Sequence, residues 1–240
     1  MNAPLEKLEL RIEYIHHSGF TVETDRDFLV FDYYQGQVQF PSNKRITVFS
    51  SHVHPDHYNP EIFQWQSQYP DIHYILSSDI QGHPQLPQVQ ENLIFLSPYE
   101  EVHRDDLKIR TYGSTDVGIS FLVELDVKEG IHLFHAGDLN WWHWWGEPQE
   151  DILWAEKMFK EEIAKIKEER IDIAFFPVDP RLEQYYSIGA EYFIQEINPQ
   201  VLVPMHFGED YKSIQSFVEK MASSSTEILG ITQSNQHFAI

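Results

Sequence analysis

The 240-residue chain carries 38 acidic against 17 basic side chains, a formal net charge of −21, which disfavours a polynucleotide partner whose phosphates would need Lys and Arg. It has no cysteine, which excludes disulfides, thiolate metal ligands and cysteine nucleophiles at once. At 42% hydrophobic it can bury a sizeable core, yet no apolar run approaches the about 20 residues of a membrane span and the start lacks the pattern of a signal peptide. These features lead us to expect one domain over residues 1–240, cytoplasmic and not membrane-bound.

Residues 8–15 alternate: Leu8, Leu10, Ile12 and Tyr14 fall on one side, with Glu9, Arg11 and Glu13 opposite, the pattern of a half-buried strand. His17-Ser18-Gly19-Phe20 reads as a turn into a strand at 21–23. Residues 28–31 form a short apolar run ending in Asp32, and 46–49 form another. Asn59-Pro60 opens a helix, because Asn is a favoured N-cap and Pro suits the first helical position. Strands are predicted at 72–76, 107–112, 119–125 and 131–134, with the Pro/Gln-rich stretch 81–90 as a surface loop. Ile152, Ala155, Phe159, Ile163 and Ile166 mark a helical stripe, and Glu156/Lys160 and Glu161/Lys165 are spaced to pair on its other side. A buried strand at 171–178, a helix at 192–197 and a strand at 201–205 follow. Ile214, Phe217, Val218 and Met221 mark a last helical stripe. Strands and helices mixed in this way indicate a layered α/β domain.

The stretch that carries chemistry is Phe49-Ser-Ser-His52-Val-His54-Pro-Asp56-His57, with three imidazoles and a carboxylate within six positions after a buried strand. His52 and His54 are two apart and point the same way if the backbone is extended. Pro55 favours a turn that brings Asp56 and His57 round on new vectors. Such a set offers neutral nitrogens to one metal and a carboxylate with an imidazole to another. Imidazole suits zinc and iron, while carboxylate and water also accommodate manganese. Surface histidines in a loop are the competing explanation, which the spacing makes a poor one.

This motif resembles the signature of the metallo-β-lactamase superfamily. The resemblance implies a four-layer αββα sandwich, with two sheets between helices and metals at one edge. Asp32 resembles the family's early aspartate, which braces the ligand loop. His135-Ala-Gly-Asp138 resembles the motif whose aspartate bridges two metals, and Pro204-Met-His206-Phe the motif whose histidine completes the second. The implied metal ligands are therefore His52, His54, Asp56, His57, Asp138 and His206. His17-Ser-Gly-Phe, Gly113-Ser-Thr-Asp116 and Asp138-Leu-Asn-Trp-Trp further resemble the branch containing ascorbate phosphate lactonase. One departure stands out. The superfamily supplies a third histidine to the first metal from a loop that here reads Tyr112-Gly-Ser-Thr-Asp116, without histidine. Asp116, Ser114 or a water is left to fill that position. One or two divalent ions are expected, zinc first, with manganese and iron open.

Four other places draw attention. Asp179 follows a buried strand, where it either orients a ligand histidine or forms a turn before Pro180. Arg181 is read as a surface salt bridge ahead of a substrate contact. His135 either faces the site or packs beneath it, with packing favoured, and His17 either reaches the metal rim to meet substrate or serves the turn. Trp141-Trp-His143-Trp-Trp is either a wall of the pocket, with Trp141 and His143 as candidate substrate contacts, or packing under a long loop or at a subunit interface, with packing slightly ahead for most of the tryptophans and the simpler role for His143.

The expected chemistry is hydrolysis by a metal-bound hydroxide of a small lactone, ester or phosphorylated metabolite, with Asp56 taking the proton of the nucleophile. A phosphodiester is the alternative substrate, and a non-catalytic metal-binding protein of the same fold is the rival from another class. The partner is a small molecule, not nucleic acid or membrane, and homo-oligomerisation is left open.

Overall fold

The computed structural model describes residues 10–87, 91–126 and 130–240. Leu8 and Glu9 of the first alternating run, the rest of the N-terminal stretch and residues 88–90 of the Pro/Gln-rich loop lie outside them. The strands are β1 (Arg11–His16), β2 (Gly19–Glu23), β3 (Asp27–Phe31), β4 (Arg45–Ser50), β5 (His73–Ser77), β6 (Leu93–Leu96) and β7 (Glu101–Arg104). They continue with β8 (Leu107–Tyr112), β9 (Ser120–Leu125), β10 (Ile131–His135), β11 (Ile173–Pro177), β12 (Val201–Met205), β13 (Glu227–Ile228) and β14 (Gln236–Ala239). The α-helices are α1 (Gln149–Ile166), α2 (Ile188–Ile197) and α3 (Tyr211–Lys220). The helix after Asn59 is a 3₁₀ helix, Pro60–Ser67, and the Asn59 side chain caps it by accepting from the Glu61 N–H.

Among the described residues the strands form two seven-stranded sheets, ordered β14-β1-β2-β3-β4-β5-β6 and β13-β12-β11-β10-β9-β8-β7. The two are built alike. In the first, β14 through β3 pair antiparallel and β3 through β6 pair parallel. In the second, β7 through β10 pair antiparallel and β10 through β13 parallel. Parallel neighbours run in one direction, so the ends of β3 and β4 lie together, as do those of β10, β11 and β12. Open α/β sheets build sites at such carboxyl ends.

Alternation along each strand sorts its side chains into layers. Leu29, Phe31, Phe49 and Ile75 enter the core between the sheets, while Phe28, Val30, Val48 and Tyr74 turn outward beneath the Pro60–Ser67 helix. On β11, Phe175 meets Phe20 of the opposite sheet at 4.6 Å between ring centroids. Its neighbour Phe176 points the other way and stacks on Phe193 of α2 at 4.5 Å. Helix, sheet, sheet and helix thus make the four-layer α/β sandwich of the metallo-β-lactamase fold.

Three local expectations need correction. Lys165 pairs with Glu162, three residues back, while Glu161 pairs with Lys157. Glu162 lies on the buried face of α1, where it collects the nearest cation. The 192–197 helix begins four residues earlier, at Ile188. The backbone through His52 and His54 is bent, not extended, so these rings meet edge-on at 4.7 Å without lying on one strand face.

Phe175 is fully buried between the sheets. Phe175→Ala should cost about 3–5 kcal/mol, seen as a lower urea midpoint at unchanged slope. A loss below about 1 kcal/mol would mean that this ring does not bridge the layers.

Candidate metal centre

The site gathers on the carboxyl ends of the parallel strands. β4 delivers Ser51 and His52, and a tight turn, with the His57 and Tyr58 N–H groups donating to the His54 carbonyl at 3.0 and 2.9 Å, swings Asp56 and His57 inward. β3 ends in Asp32, β10 leads through Ala136 and Gly137 to Asp138, β11 leads to Asp179, and β12 to His206. His17, in the turn between β1 and β2, completes the ring. His17, Asp32 and His206 all hold left-handed backbone, at φ 56°, 41° and 67°. Non-glycine residues adopt this conformation at a cost, and it is found where geometry is enforced for function.

Asp32 is the brace. It is fully buried and accepts from the Ser51 N–H at 2.7 Å, the Ser51 hydroxyl at 2.6 Å and His57 Nδ1 at 2.7 Å. These bonds leave His57 Nε2 pointing away from Asp32 and into the centre. Asp179 does the same for His206, whose Nδ1 donates to its Oδ2 at 3.0 Å. A carboxylate behind an imidazole fixes ring and tautomer, as commonly seen behind metal-ligating histidines. Burial, the largest effect on Asp179, raises its pKa, but His206 and Arg181 outweigh it and bring it down to about 2.

At the centre stands Asp138. Its Oδ1 lies 3.1 Å from His57 Nε2 and 3.1 Å from His206 Nε2, while its Oδ2 lies 3.5 Å from His52 Nε2. Two groups result whose ligand atoms all fall within 4.8 Å of one another: His52, His54 and Asp138, and His17, Asp56, His57 and His206. The Nε2 atoms of His17, His52, His57 and His206 and Asp138 Oδ1 are buried without a hydrogen-bond partner. Buried polar atoms without partners are costly and rare. Here they converge, and their chemistry, imidazole nitrogen with carboxylate oxygen, fits a divalent transition metal.

Electrostatics favours the same reading. Burial pushes the His52 pKa down to about 4, helped by the charge of His57, so this ring stays a neutral donor. For His57 burial is again the largest effect and lowers the pKa, but Asp138 and Asp32 together outweigh it and raise it to about 10. Asp138 is held well below the usual carboxylate range because His57 and His206 overcome its burial.

The loop without histidine is held by contacts the sequence did not advertise. Glu162 of α1, nearly buried, accepts from the Gly113 N–H at 2.7 Å and the Tyr99 hydroxyl at 2.8 Å. Gly118 and Gly137 press on the ligand strand. A Cβ on Gly118 would stand 2.1 Å from the Ser51 carbonyl oxygen, and one on Gly137 2.7 Å from Ser51 Cβ, and both have positive φ. Asp116 faces His54 with Oδ2 3.7 Å from Nδ1. The Ser114 hydroxyl accepts from the Asp116 N–H at 3.2 Å and shapes the turn. Thr115, a residue with no sequence signal of its own, bonds the backbone of Asn140 on both sides, donating at 2.6 Å and accepting at 2.9 Å.

His135 packs beneath the centre. Its Nδ1 accepts from the Gly137 N–H at 3.2 Å, so its Nε2 carries the hydrogen and donates to the Ser18 carbonyl at 3.0 Å. Trp141 is buried against Phe159 and Tyr192 and does not wall the pocket. His143 stacks on Tyr185 at 3.7 Å and also stays out of it. The wall is made by their neighbours Trp142 and Trp144, stacked 5.9 Å apart, with Trp142 lying 5.6 Å from the His206 ring. Trp141 and His143 thus pack, Trp142 and Trp144 line the pocket and Trp145 stands exposed, and the sequence offers no sign of which is which. Arg181 grips Asp179 and lies over Trp144 at 5.6 Å.

The cavity in front of the cluster holds about 520 Å³ and is lined by His54, Asp56, Thr115, Asp116, Asp138, Trp142, Trp144, Glu147, Asp151, Trp154, Ala155, Met158, Arg181 and His206. That is the size of a small-molecule site. No helix among the described residues is long and apolar enough to cross a membrane.

Two mixed sheets between helices, with a His/Asp cluster at their carboxyl edge, define the metallo-β-lactamase class of fold. Residues 11–206 match the family model described as the beta-lactamase superfamily domain, and the chain belongs to that superfamily. Solved structures agree in fold. Igni18, a metallo hydrolase from the archaeon Ignicoccus hospitalis, is similar with a TM-score of 0.67 and 17% identity, over 96% of this chain and 99% of its own. The metallo-β-lactamase fold protein YhfI of Bacillus subtilis gives 0.63 at 12% identity, over 95% and 98%. CmlA, a diiron β-hydroxylase of Streptomyces venezuelae, gives 0.62 at 10% identity, over 100% of this chain and 55% of its own. No curated protein matches the sequence.

Because the His57 pKa is raised from 6.5 to about 10, its proton stabilises the metal-free fold fully below pH 6.5, and that contribution is lost as pH rises through 10. A metal taking Nε2 must displace this proton. Adding zinc to metal-free protein at pH 8 in weak buffer should therefore release protons, and apparent affinity should climb with pH. Uptake without proton release would contradict this account of His57.

Proposed function

We propose that the protein is a metal-dependent hydrolase of a small lactone or ester. The observation that carries this reading is the placement of Asp138, whose two oxygens face the buried Nε2 atoms of His52, His57 and His206, none of which has a hydrogen-bond partner. His52, His54 and Asp138 would hold one divalent ion, and Asp56, His57, Asp138 and His206 a second. Such ions supply Lewis acidity and an acidified water, and zinc, manganese or iron each suit this donor set.

The chain's own groups do the rest. Asp56 lines the cavity with its side chain 40% exposed, so water can reach it. His17 beside it holds the carboxylate ionised and able to accept the nucleophile's proton. Trp142 and Trp144 give a flat apolar wall on which a ring can lie.

Away from the metal ions themselves, the charge around the cavity supports one substrate class over the other. Arg181 is the one cation among the residues that line the cavity, and Asp179 already occupies its guanidinium. Asp116, Glu147 and Asp151 line the same cavity. A phosphorylated substrate would meet mostly carboxylates there, which favours the uncharged lactone or ester over the phosphodiester. The lactonase branch suggested by the sequence motifs fits this chemistry, apart from its phosphate.

Protein loaded in turn with zinc, manganese and iron should turn over members of an ester and lactone panel. Asp56→Ala should then lower kcat by about 10²-fold or more, the usual scale of a lost proton acceptor. Preference for phosphodiesters would move the reading to the alternative class, and full activity in Asp56→Ala would remove Asp56 from the mechanism.

A further inference from the structure

The two ligand groups are unequal, and His17 makes them so. The superfamily pattern gives its third histidine to the first metal, and the loop that should carry it ends in Asp116. A further imidazole does reach the cluster, on the other side. The His17 N–H donates to the Tyr14 hydroxyl at 2.9 Å and the His17 carbonyl accepts from the His206 N–H at 3.1 Å. These bonds hold the residue at φ 56° with its ring 4.2 Å from that of His206. The side chain is 13% exposed, and Nε2 lies 3.4 Å from Asp56 Oδ2 without making a hydrogen bond. The ordinary role for such a histidine, a partner in the turn, would be played by the backbone alone. Among the described residues its polar contact is this long approach to Asp56, itself a member of the same cluster.

On this side stand His17, Asp56, His57 and His206, with Asp138 Oδ1 3.1 Å from two of the imidazoles. On the other stand His52, His54 and Asp138, with the His54 side chain 43% exposed at the cavity. Closed coordination by protein groups marks tightly held metals, and three protein ligands with open positions mark catalytic ones. We propose that His17 is a metal ligand, and that it closes the His57/His206 site into a permanently held ion while the His52/His54/Asp138 site is the open, exchangeable one that meets substrate. This rests on the metal-centre reading above and assigns the two sites different work.

The test is metal binding, not turnover. Metal-free protein titrated with zinc against a competing chelator should fill in two steps, tight and then weak. His17→Asn, whose side chain tolerates left-handed backbone, should weaken the tight step by at least about tenfold, the minimum expected even for a residue that only supports a ligand. His54→Asn should weaken the other step alone. His17→Gly, free of backbone strain, stands in if the Asn variant fails to fold by circular dichroism. The wild-type protein gives an independent measure: X-ray absorption at one equivalent of zinc should count three imidazoles, from His17, His57 and His206. Two imidazoles, or a tight step unchanged in either His17 variant, would overturn the proposal and leave the metal centre standing. No zinc binding by the wild-type protein would overturn both.

Discussion

The structure depends on one buried carboxylate among imidazoles. Asp138 sits at the end of β10 with its side chain 7% exposed, where a lone charge would be strongly disfavoured. It is tolerated because three histidine nitrogens stand within 3.5 Å of its two oxygens. Those histidines come from two places distant in sequence: His52 and His57 from the turn after β4, His206 from the end of β12. Holding them together requires both sheets to present their parallel strands at the same edge. The fold is thus the means by which two short segments, distant in sequence, are brought within bonding reach of one carboxylate.

A second layer of acids makes the arrangement rigid. Asp32 and Asp179 each take the outer nitrogen of a histidine and leave the inner one unbonded. Asp32 also takes both donors of Ser51, so brace, strand end and ligand form one unit. His135 stacks flat on Phe31 beneath it, 5.2 Å between centroids, and carries the hydrophobic core up to the polar site. The backbone strain at His17, Asp32 and His206 is sustained by this network, in keeping with strain stored where function needs fixed geometry.

Much of this was legible in the sequence, because the strongest signals are local. Period-two alternation and short apolar runs located most strands to within two residues, and the His-x-His-x-Asp-His cluster marked its own importance. Strands β6, β7, β13 and β14 were not read. β7 is Glu-Val-His-Arg, an edge strand whose charges guard an open sheet edge and hide the pattern, and β14 is the short polar edge strand Gln-His-Phe-Ala. The division of Trp141, Trp142 and Trp144 between core and cavity depends on the path of a loop, which no periodicity encodes. Ser51 and Glu162 went unnoticed for different reasons. A serine beside a histidine is unremarkable, whereas Glu162 interrupts the apolar stripe of Phe159, Ile163 and Ile166, and a polar residue on a buried helix face is a signal that could have been followed.

The central claim is that the cluster is a metal centre. Elemental mass spectrometry on protein purified without a histidine tag or chelator tests it most directly. The account predicts at least one divalent transition-metal ion per chain as purified, rising toward two when metal is supplied. Protein that carries none, and takes up none when zinc, manganese or iron is added, would contradict it.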